Sequence, residues 1–395
     1  MYYRIDAIDS WFFRNAAPFD AGVNTYGKSI FPPFPSVYAG ALRNCAVPIP
    51  NPNSPKNTFA RRLKIGWNGI IIDKHMLFPL PLDLYITKSD DEKFIAHEMV
   101  ISSAAGSSFP LPYFLKSPTE LKKPPHISGG AYVDENVIKA YLNAQSSDYS
   151  VYSLEDYFSE ETHIGIRIDP LSGTVADGQF YQQTLITPKN NIRQCSLAIE
   201  TSGIEIPEKS IVHIGGDGKL GVISRIGENL SLPDPPSIEN DSCFKLYLAT
   251  PAIFEKGWLP GWINRENMTG IFTHKKHSVR VKLLSAVVGK PVAIGGFGVD
   301  KDKDKNKNKD KDKDKICPRE MRYAVPAGSV YYFKLLSGSM TDVIRLFHKK
   351  CISDYRETLG FHYEKMDRLR YCSRGFGYSL VGSIGKNQRG EVHNV

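Results

Sequence analysis

Apolar and polar positions along this chain fall in short runs cut by glycine, proline and asparagine. The runs "YYRIDAI" (2–8), "IRIDP" (166–170), "CSLAIE" (195–200), "CFKLYLAT" (243–250), "SVRVKLLSAVV" (278–288) and "SVYYFKLL" (329–336) share one character. They are β-branched and aromatic, alternate in part, and end in turn residues, which predicts strands. Helical spacing is scarcer. "SVYAGALRN" (36–44) follows the proline-rich "FPPFP" and opens on a serine suited to an N-cap. "LEDYFSEE" (154–161) predicts a short second helix. "TDVIRLFHKKCISDYRETL" (341–359) predicts the longest, with Val343, Ile344, Leu346 and Phe347 near the helical period and Thr341 as its cap. Strands mixed with a few helices predict an α+β fold.

One pattern occurs twice. "YYRIDAIDSWFFRN" (2–15) runs from a strand into an aromatic-polar turn, and "CFKLYLATPAIFEKG" (243–257) repeats that shape. Each half then closes on a glycine-rich segment leading into an apolar strand: "IGGDGKLGVISRI" (214–226) and "SRGFGYSLVGSIG" (373–385). Two copies of one α+β module, residues 1–235 and 236–395, account for this. Between two strands of the second copy lies "DKDKDKNKNKDKDKDK" (300–315), which has no apolar residue and reads as a disordered surface insertion. Its alternating signs cancel most of its field.

Charge adds a direction to this picture. The chain of 395 residues has a net charge of +8. Residues 1–299 balance at 29 basic against 29 acidic side chains, whereas 316–395 carry 13 against 7. A localised basic excess suits a polyanion, and also suits an acidic protein. The six cysteines (45, 195, 243, 317, 351, 372) form no CxxC pair, which argues against a structural zinc or a disulfide framework and fits a reducing, cytoplasmic setting. No apolar run reaches the ~18 residues of a transmembrane helix, and the opening "MYYRIDAIDSWFF" lacks the basic-then-apolar layout of a signal peptide.

Four segments carry candidate chemistry. In "WFFRNAAPFDAGVNTYGKSIFPPFPSVYAGALRN" (11–44) a long polar loop leads into a helix N-terminus, where Ser36 and the following amides can hold a phosphate, helped by Arg14, Lys28 and Arg43. Trp11, Phe12 and Phe13 themselves read as core. "HIGIRIDPLSGTVADGQFYQQ" (163–183) predicts a long hairpin with a polar tip, offering Arg167 and Thr174, that can wedge between bases or clamp a backbone; a surface hairpin without a role is the alternative. The two glycine segments come third. Gly215, Gly216 and Gly218 with Lys219, and Gly375 and Gly377 with Arg374, Tyr378 and Lys386, can form anion-binding nests, with Tyr378 and Phe376 stacking on bases. Neither is a Walker loop nor a dinucleotide fingerprint. The fourth is "HKKH" (274–277), whose Lys275 and Lys276 read as a basic loop reaching for phosphate rather than part of a metal site. His163, His213 and His348 stand alone, and no catalytic motif or metal-spaced acidic cluster is present.

Taken in order, "DSWFFRNAAPFDAG", "SIFPPFPSVYAGALRN", "GIRIDPLSGTVADGQFY", "VHIGGDGKLG", "LATPAIFEKGWLPGW", "GKPVAIGGFGV", "AVPAGSVYYF" and "GFGYSLVGS" resemble the RAMP-superfamily subunit at the foot of type III-B CRISPR (Cmr) effector complexes. The matches span nearly the whole chain. Asn15 stands where the family pattern has an Asp, and the Lys/Asp insert is not part of it. The resemblance implies two ferredoxin-like (RRM-like) modules in tandem with long loop insertions. It implies a non-catalytic subunit, without cofactor or metal, that clamps the 5′ handle of crRNA. Its implied partners are the large cyclase/polymerase-like subunit, the backbone RAMP subunit and, indirectly, target RNA, with no membrane. It also implies a thumb-like element interrupting guide–target pairing, for which the 163–183 hairpin is the candidate. The competing expectation is a metal-independent endoribonuclease that processes CRISPR transcripts, with His213, two residues before Gly215, as its general base.

Overall fold

The computed structural model of the chain describes residues 1–17, 19, 24–45, 63–89, 91–118, 127, 129–145, 148–189, 195–227, 230–238, 242–300, 315–318, 321–354 and 371–385. In chain order its main elements are β1 (Tyr2–Ala7), α1 (Pro35–Cys45), β2 (Lys64–Ile72), β3 (His75–Pro79), β4 (Ala131–Asp134), α2 (Glu135–Leu142), β5 (Phe158–Ile168), β6 (Val175–Pro188), β7 (Cys195–Ser202), β8 (Lys209–His213) and β9 (Leu220–Arg225). They are followed by β10 (Cys243–Leu248), β11 (Thr269–His274), β12 (His277–Val287), β13 (Val330–Ser337), α3 (Met340–Phe347) and β14 (Tyr378–Gly382). The fold is α+β and dominated by strands.

Two sheets form its body. The first has the order Tyr152–Ser153, β4, β3, β2, β7, β1, β9, β8; the second runs β11, β12, β13, β10, β14, Lys350–Cys351. Four adjacent strands in each follow one plan, with every neighbour antiparallel. In β9-β1-β7-β2 and in β14-β10-β13-β12 the first strand of the half is central, flanked by the fourth on one side and by the third and then the second on the other. These two sets of four strands thus share one strand order. The helices do not match. α1 follows the first strand of one half, and α3 follows the third strand of the other.

Alternation explains the layering. Tyr3, Ile5, Ile70, Ile72, Leu197 and Ile199 point to one face of the first sheet, where Tyr38, Ala39 and Leu42 of α1 cover them. Trp67, Met76, Phe78 and Ala198 point to the other face and meet Tyr247, Tyr332, Tyr378 and Leu380 of the second sheet in a shared core. On the far side of the second sheet, Phe244, Leu246, Val281 and Phe333 pack under Val343, Leu346 and Phe347 of α3. The layers are therefore helix, sheet, sheet, helix. Full burial of each large apolar side chain contributes roughly 1.5–3 kcal/mol.

Several expected elements change. The helix expected over 154–161 is a 3-10 turn, Leu154–Asp156, followed at once by β5. Ser153 makes no side-chain cap bond there, and Phe158 is drawn into the core as a strand residue opposite Pro188. α3 stops at Phe347 because the buried His348 accepts from the Val381 amide through Nδ1 (3.2 Å) and donates from Nε2 to the Pro233 carbonyl (3.0 Å). Ser339, not Thr341, caps it, accepting from the Asp342 amide at 3.1 Å. The rest of that expected helix, 355–359, lies outside the described residues, as do 301–314 of the Lys/Asp insert. Around that insert, Phe297–Asp300 pairs with Lys315–Pro318.

Candidate nucleic-acid interface

Residues 11–15 leave β1 and are held between two partners. Trp11 and Ile186 exchange both backbone hydrogen bonds at 2.8 Å, while the Asn15 amide donates to Lys28 and the Ile30 amide to Phe13. Ser29 joins the two sides: its Oγ accepts from the Phe13 amide and donates to the Thr184 carbonyl. Trp11, Phe13, Phe31 and Phe158 pack ring against ring beneath. The aromatic triplet is thus core, with Trp11 wholly buried. Its neighbour Arg14 is half-buried, its guanidinium 5.7 Å from the centre of the Phe19 ring and donating to the Ala17 carbonyl, whereas Lys28 is exposed.

The first glycine loop closes onto this segment. The Gly216 amide donates to the Phe12 carbonyl at 2.8 Å. Gly215 has φ of +84°, and a Cβ there would collide with that same carbonyl. Its glycine requirement is thus one of backbone packing. The loop is also tied to the hairpin, where Gln183 Nε2 donates to Asp217 Oδ2 at 2.8 Å. Lys219 turns inward. Its ammonium holds Asp9 Oδ2 and Ser10 Oγ, each at 3.0 Å, and so struts the turn after β1. The Ser10 backbone bond first, and then Lys219, lower the Asp9 pKa.

The expected hairpin is a ribbon of β5 and β6, longer than the sequence suggested. One of its faces carries His163, Gly165 and Arg167 with Tyr181 and Gln183 opposite. This face turns toward the loop: Phe19 meets Tyr181 edge-on at 6.1 Å, and Gly165 leaves room for the Tyr181 ring. Arg167 is exposed. At the tip, Thr174 accepts from the Asp169 amide and its hydroxyl pairs with Ser172. Arg14, Lys28, Gly215, Gly216, Gly218 and the Arg167 ribbon thus belong to one assembly. Tyr181, Phe19 and Gln183 belong to it as well, and so does Gly295, whose backbone passes Ala16 so closely that a Cβ would lie 3.2 Å from the alanine methyl. None of these four stood out in the sequence. The glycine pair in "AIGGFG" was the signal available for the last.

The second glycine loop has a different task. The Gly377 amide donates to the Pro251 carbonyl, which repeats the Gly216–Phe12 bond in the second half. The loop also reaches across to the first sheet, where Ser373 accepts from the Ile65 amide at 2.9 Å. Gly375 has φ of +89°, and a Cβ there would press on Ile65, Gly66 and Asn68. Tyr378 and Phe376 are almost wholly buried. The Tyr378 hydroxyl donates to Glu200, and burial drives its pKa up. The stacking role expected for these two rings is therefore corrected: they are core, Gly375 serves the junction with the first sheet, and Gly377 packs against Ser353 and Ala252 within its own sheet region. Arg374 is half-buried beside them.

The remaining candidates are dispersed. α1 begins at Pro35, which puts Ser36 in the first turn and not at the cap, while Arg43 lies exposed in the last turn. Lys275 and Lys276 are exposed at the tip of the β11–β12 hairpin, on the edge of the second sheet. His277 there pairs with Asp342 at 2.7 Å. His213 ends β8 and is exposed. Lys386 lies outside the described residues. Among the described residues no three His, Cys, Asp or Glu side chains gather as a metal site would require.

Residues 3–382 match the family model of the CRISPR-associated protein (Cas_Cmr3). The chain belongs to that family. The resemblance read from the sequence motifs is thereby upheld. Two cryo-EM structures of the Type III-B Cmr-beta are similar in fold. One, bound to cognate target RNA and AMPPnP in state 1, contains a chain 14% identical, with 84% of this chain and 86% of that one covered at a TM-score of 0.46. The other, bound to cognate target RNA, contains one 13% identical, with 95% of each covered at a TM-score of 0.49. No curated protein matches the chain. Among the described residues of this Cas_Cmr3 member, no helix is long and apolar enough to cross a membrane.

Proposed function

We propose that this chain is a non-catalytic, cytoplasmic RNA-binding subunit of a type III-B CRISPR effector complex. It clamps the 5′ handle of crRNA and docks on the large cyclase/polymerase-like subunit and on a backbone RAMP subunit, meeting target RNA only indirectly. Its two halves are ferredoxin-like modules, 1–235 and 236–395. The matched strand order supports that reading; among the described residues, α1 follows the first strand of one half and α3 the third strand of the other.

The observation that carries the proposal is the convergence at one end of β1. A loop carrying the half-buried Arg14 and the exposed Lys28, a glycine turn and a ribbon face bearing Arg167 and Tyr181 meet there in a member of this family. Cations next to aromatic rings suit single-stranded RNA, whose phosphates and splayed bases are both accessible. Arg14→Ala and Arg167→Ala are each expected to weaken crRNA binding and to lower the slope of log affinity against log salt by about 0.7 for each phosphate that is no longer neutralised. Affinity and salt slope unchanged in both variants would overturn this placement.

A further inference from the structure

The β5–β6 ribbon has a second face, pointing away from the glycine loop. Along it run Ile164, Ile166 and Ile168, with Gln182, Phe180 and Val175 directly opposite and Leu171 at the turn. A register shift between Ile166 and Ile168 still leaves Val175 facing Ile168. The three isoleucines are each at least half exposed, and Leu171 is 97% exposed. Six of the fifteen large apolar side chains exposed among the described residues lie on this one ribbon. Monomeric proteins seldom present such a contiguous apolar strip to water unless something covers it.

Support runs out along the same length. The short strand Tyr26–Gly27 pairs with β6 at Gln182 and Gln183. Towards the tip, among the described residues, β5 and β6 pair only with each other. A two-stranded ribbon in water is marginal on its own. At its root the same face runs into a cavity of about 480 Å3 lined by Phe31, Phe158, Ile186, Glu155, Glu160 and Lys189, among others. The Lys189 ammonium is drawn to the Glu155 carbonyl at 2.6 Å, and the two carboxylates stand at the cavity wall. Arg167 and His163 sit on the opposite face.

We infer that this face is a protein-docking surface. Its occupant is a partner protein that lays apolar side chains along the isoleucine strip and places an arginine or lysine in the carboxylate-walled cavity. The sign of the charge decides between partners. An RNA backbone would meet two carboxylates against the single, already engaged Lys189 ammonium at the root, and no cation among the paired strip residues, whereas a basic-apolar protein segment is complementary to both. The ribbon thus has two sides, with RNA proposed on the Arg167 face and protein on the isoleucine face. The inference relies on the proposed function only for the choice of probe.

The test uses the full chain with p-benzoylphenylalanine in place of Ile166, irradiated with its crRNA and the purified other subunits of its own Cmr complex. The expected product is a protein–protein adduct whose partner peptide contains a lysine or arginine. Alongside it, the pair Ile164→Asp and Ile168→Asp should weaken binding of that subunit at least tenfold and leave crRNA affinity of the isolated chain within twofold. An adduct to RNA, an adduct between two copies of this chain, the absence of any adduct, or wild-type subunit binding by the aspartate pair would overturn the inference. Loss of crRNA binding in the Arg14 and Arg167 variants reports on the proposed function separately.

Discussion

Gly215 and Gly218 lie three residues apart in one turn, and they differ in what surrounds them. Both have positive φ, but a Cβ on Gly215 would strike the Phe12 carbonyl while one on Gly218 meets open space. Gly218→Ala should therefore cost about 1 kcal/mol, the left-handed penalty alone, and Gly215→Ala clearly more, by urea unfolding. His348 makes a second residue-scale prediction. Burial pushes its pKa down to about 4. In the unfolded chain it titrates near 6.5, so between these values the unfolded chain takes up a proton that the native one refuses. Stability should fall as pH drops through that window, by about 3 kcal/mol in all. His348→Gln should be less stable than wild type at pH 7 and lose less on acidification. The glycines and His348 were visible in the sequence, but their reasons were not. A glycine needed to let backbone pass backbone looks the same, residue by residue, as one needed to admit a ligand.

At the scale of elements, the strands were the readable part. β1, β7, β10, β12 and β13 fall within about two residues of their apolar runs, because each buries an alternating face. Helices failed where tertiary contacts outweighed local preference. The polar "LEDYFSEE" joins a strand because Phe158 and Ile186 anchor the ribbon root in the core. The α3 cap fell two residues earlier than read, since both Ser339 and Thr341 suit the position. Ser339→Ala should cost about 1 kcal/mol of stability, with little change for Thr341→Ala, measured by thermal or denaturant unfolding. The ribbon itself was legible as a hairpin. Its two-sidedness was not, because exposed isoleucines read as buried ones until their neighbours are known.

Across the whole molecule, the two sheets are joined around a buried charge that no motif announced. Lys245 of β10 is fully buried, with Nζ 3.9 Å from Asp83 Oδ2 and 3.5 Å from the centre of the Tyr141 ring. Asp83, from the first half, accepts from the hydroxyls of Tyr141 and of Tyr332, the latter in the second half. Burial lowers the Lys245 pKa, and Asp83 and Glu98 act against that. Asp83→Ala leaves a buried lysine without its counter-ion and two hydroxyls without their acceptor, and should cost about 3–5 kcal/mol by urea unfolding. Adding Lys245→Met to that variant should restore much of the loss, since an apolar side chain of similar volume removes the stranded charge. In sequence, Lys245 sits amid an apolar strand and Asp83 in a turn some 160 residues away, so only the packed sheets reveal the pair.

The central claim, that this molecule holds the crRNA handle without cutting it, is tested most directly on one gel. Labelled crRNA with and without its 5′ handle is mixed with the protein, alone and with the large subunit added, and both mobility and RNA length are read. The account predicts a shift that depends on the handle, weakens with salt, and leaves the RNA intact. Handle-independent binding, or RNA cut in EDTA and spared by His213→Ala, would contradict it.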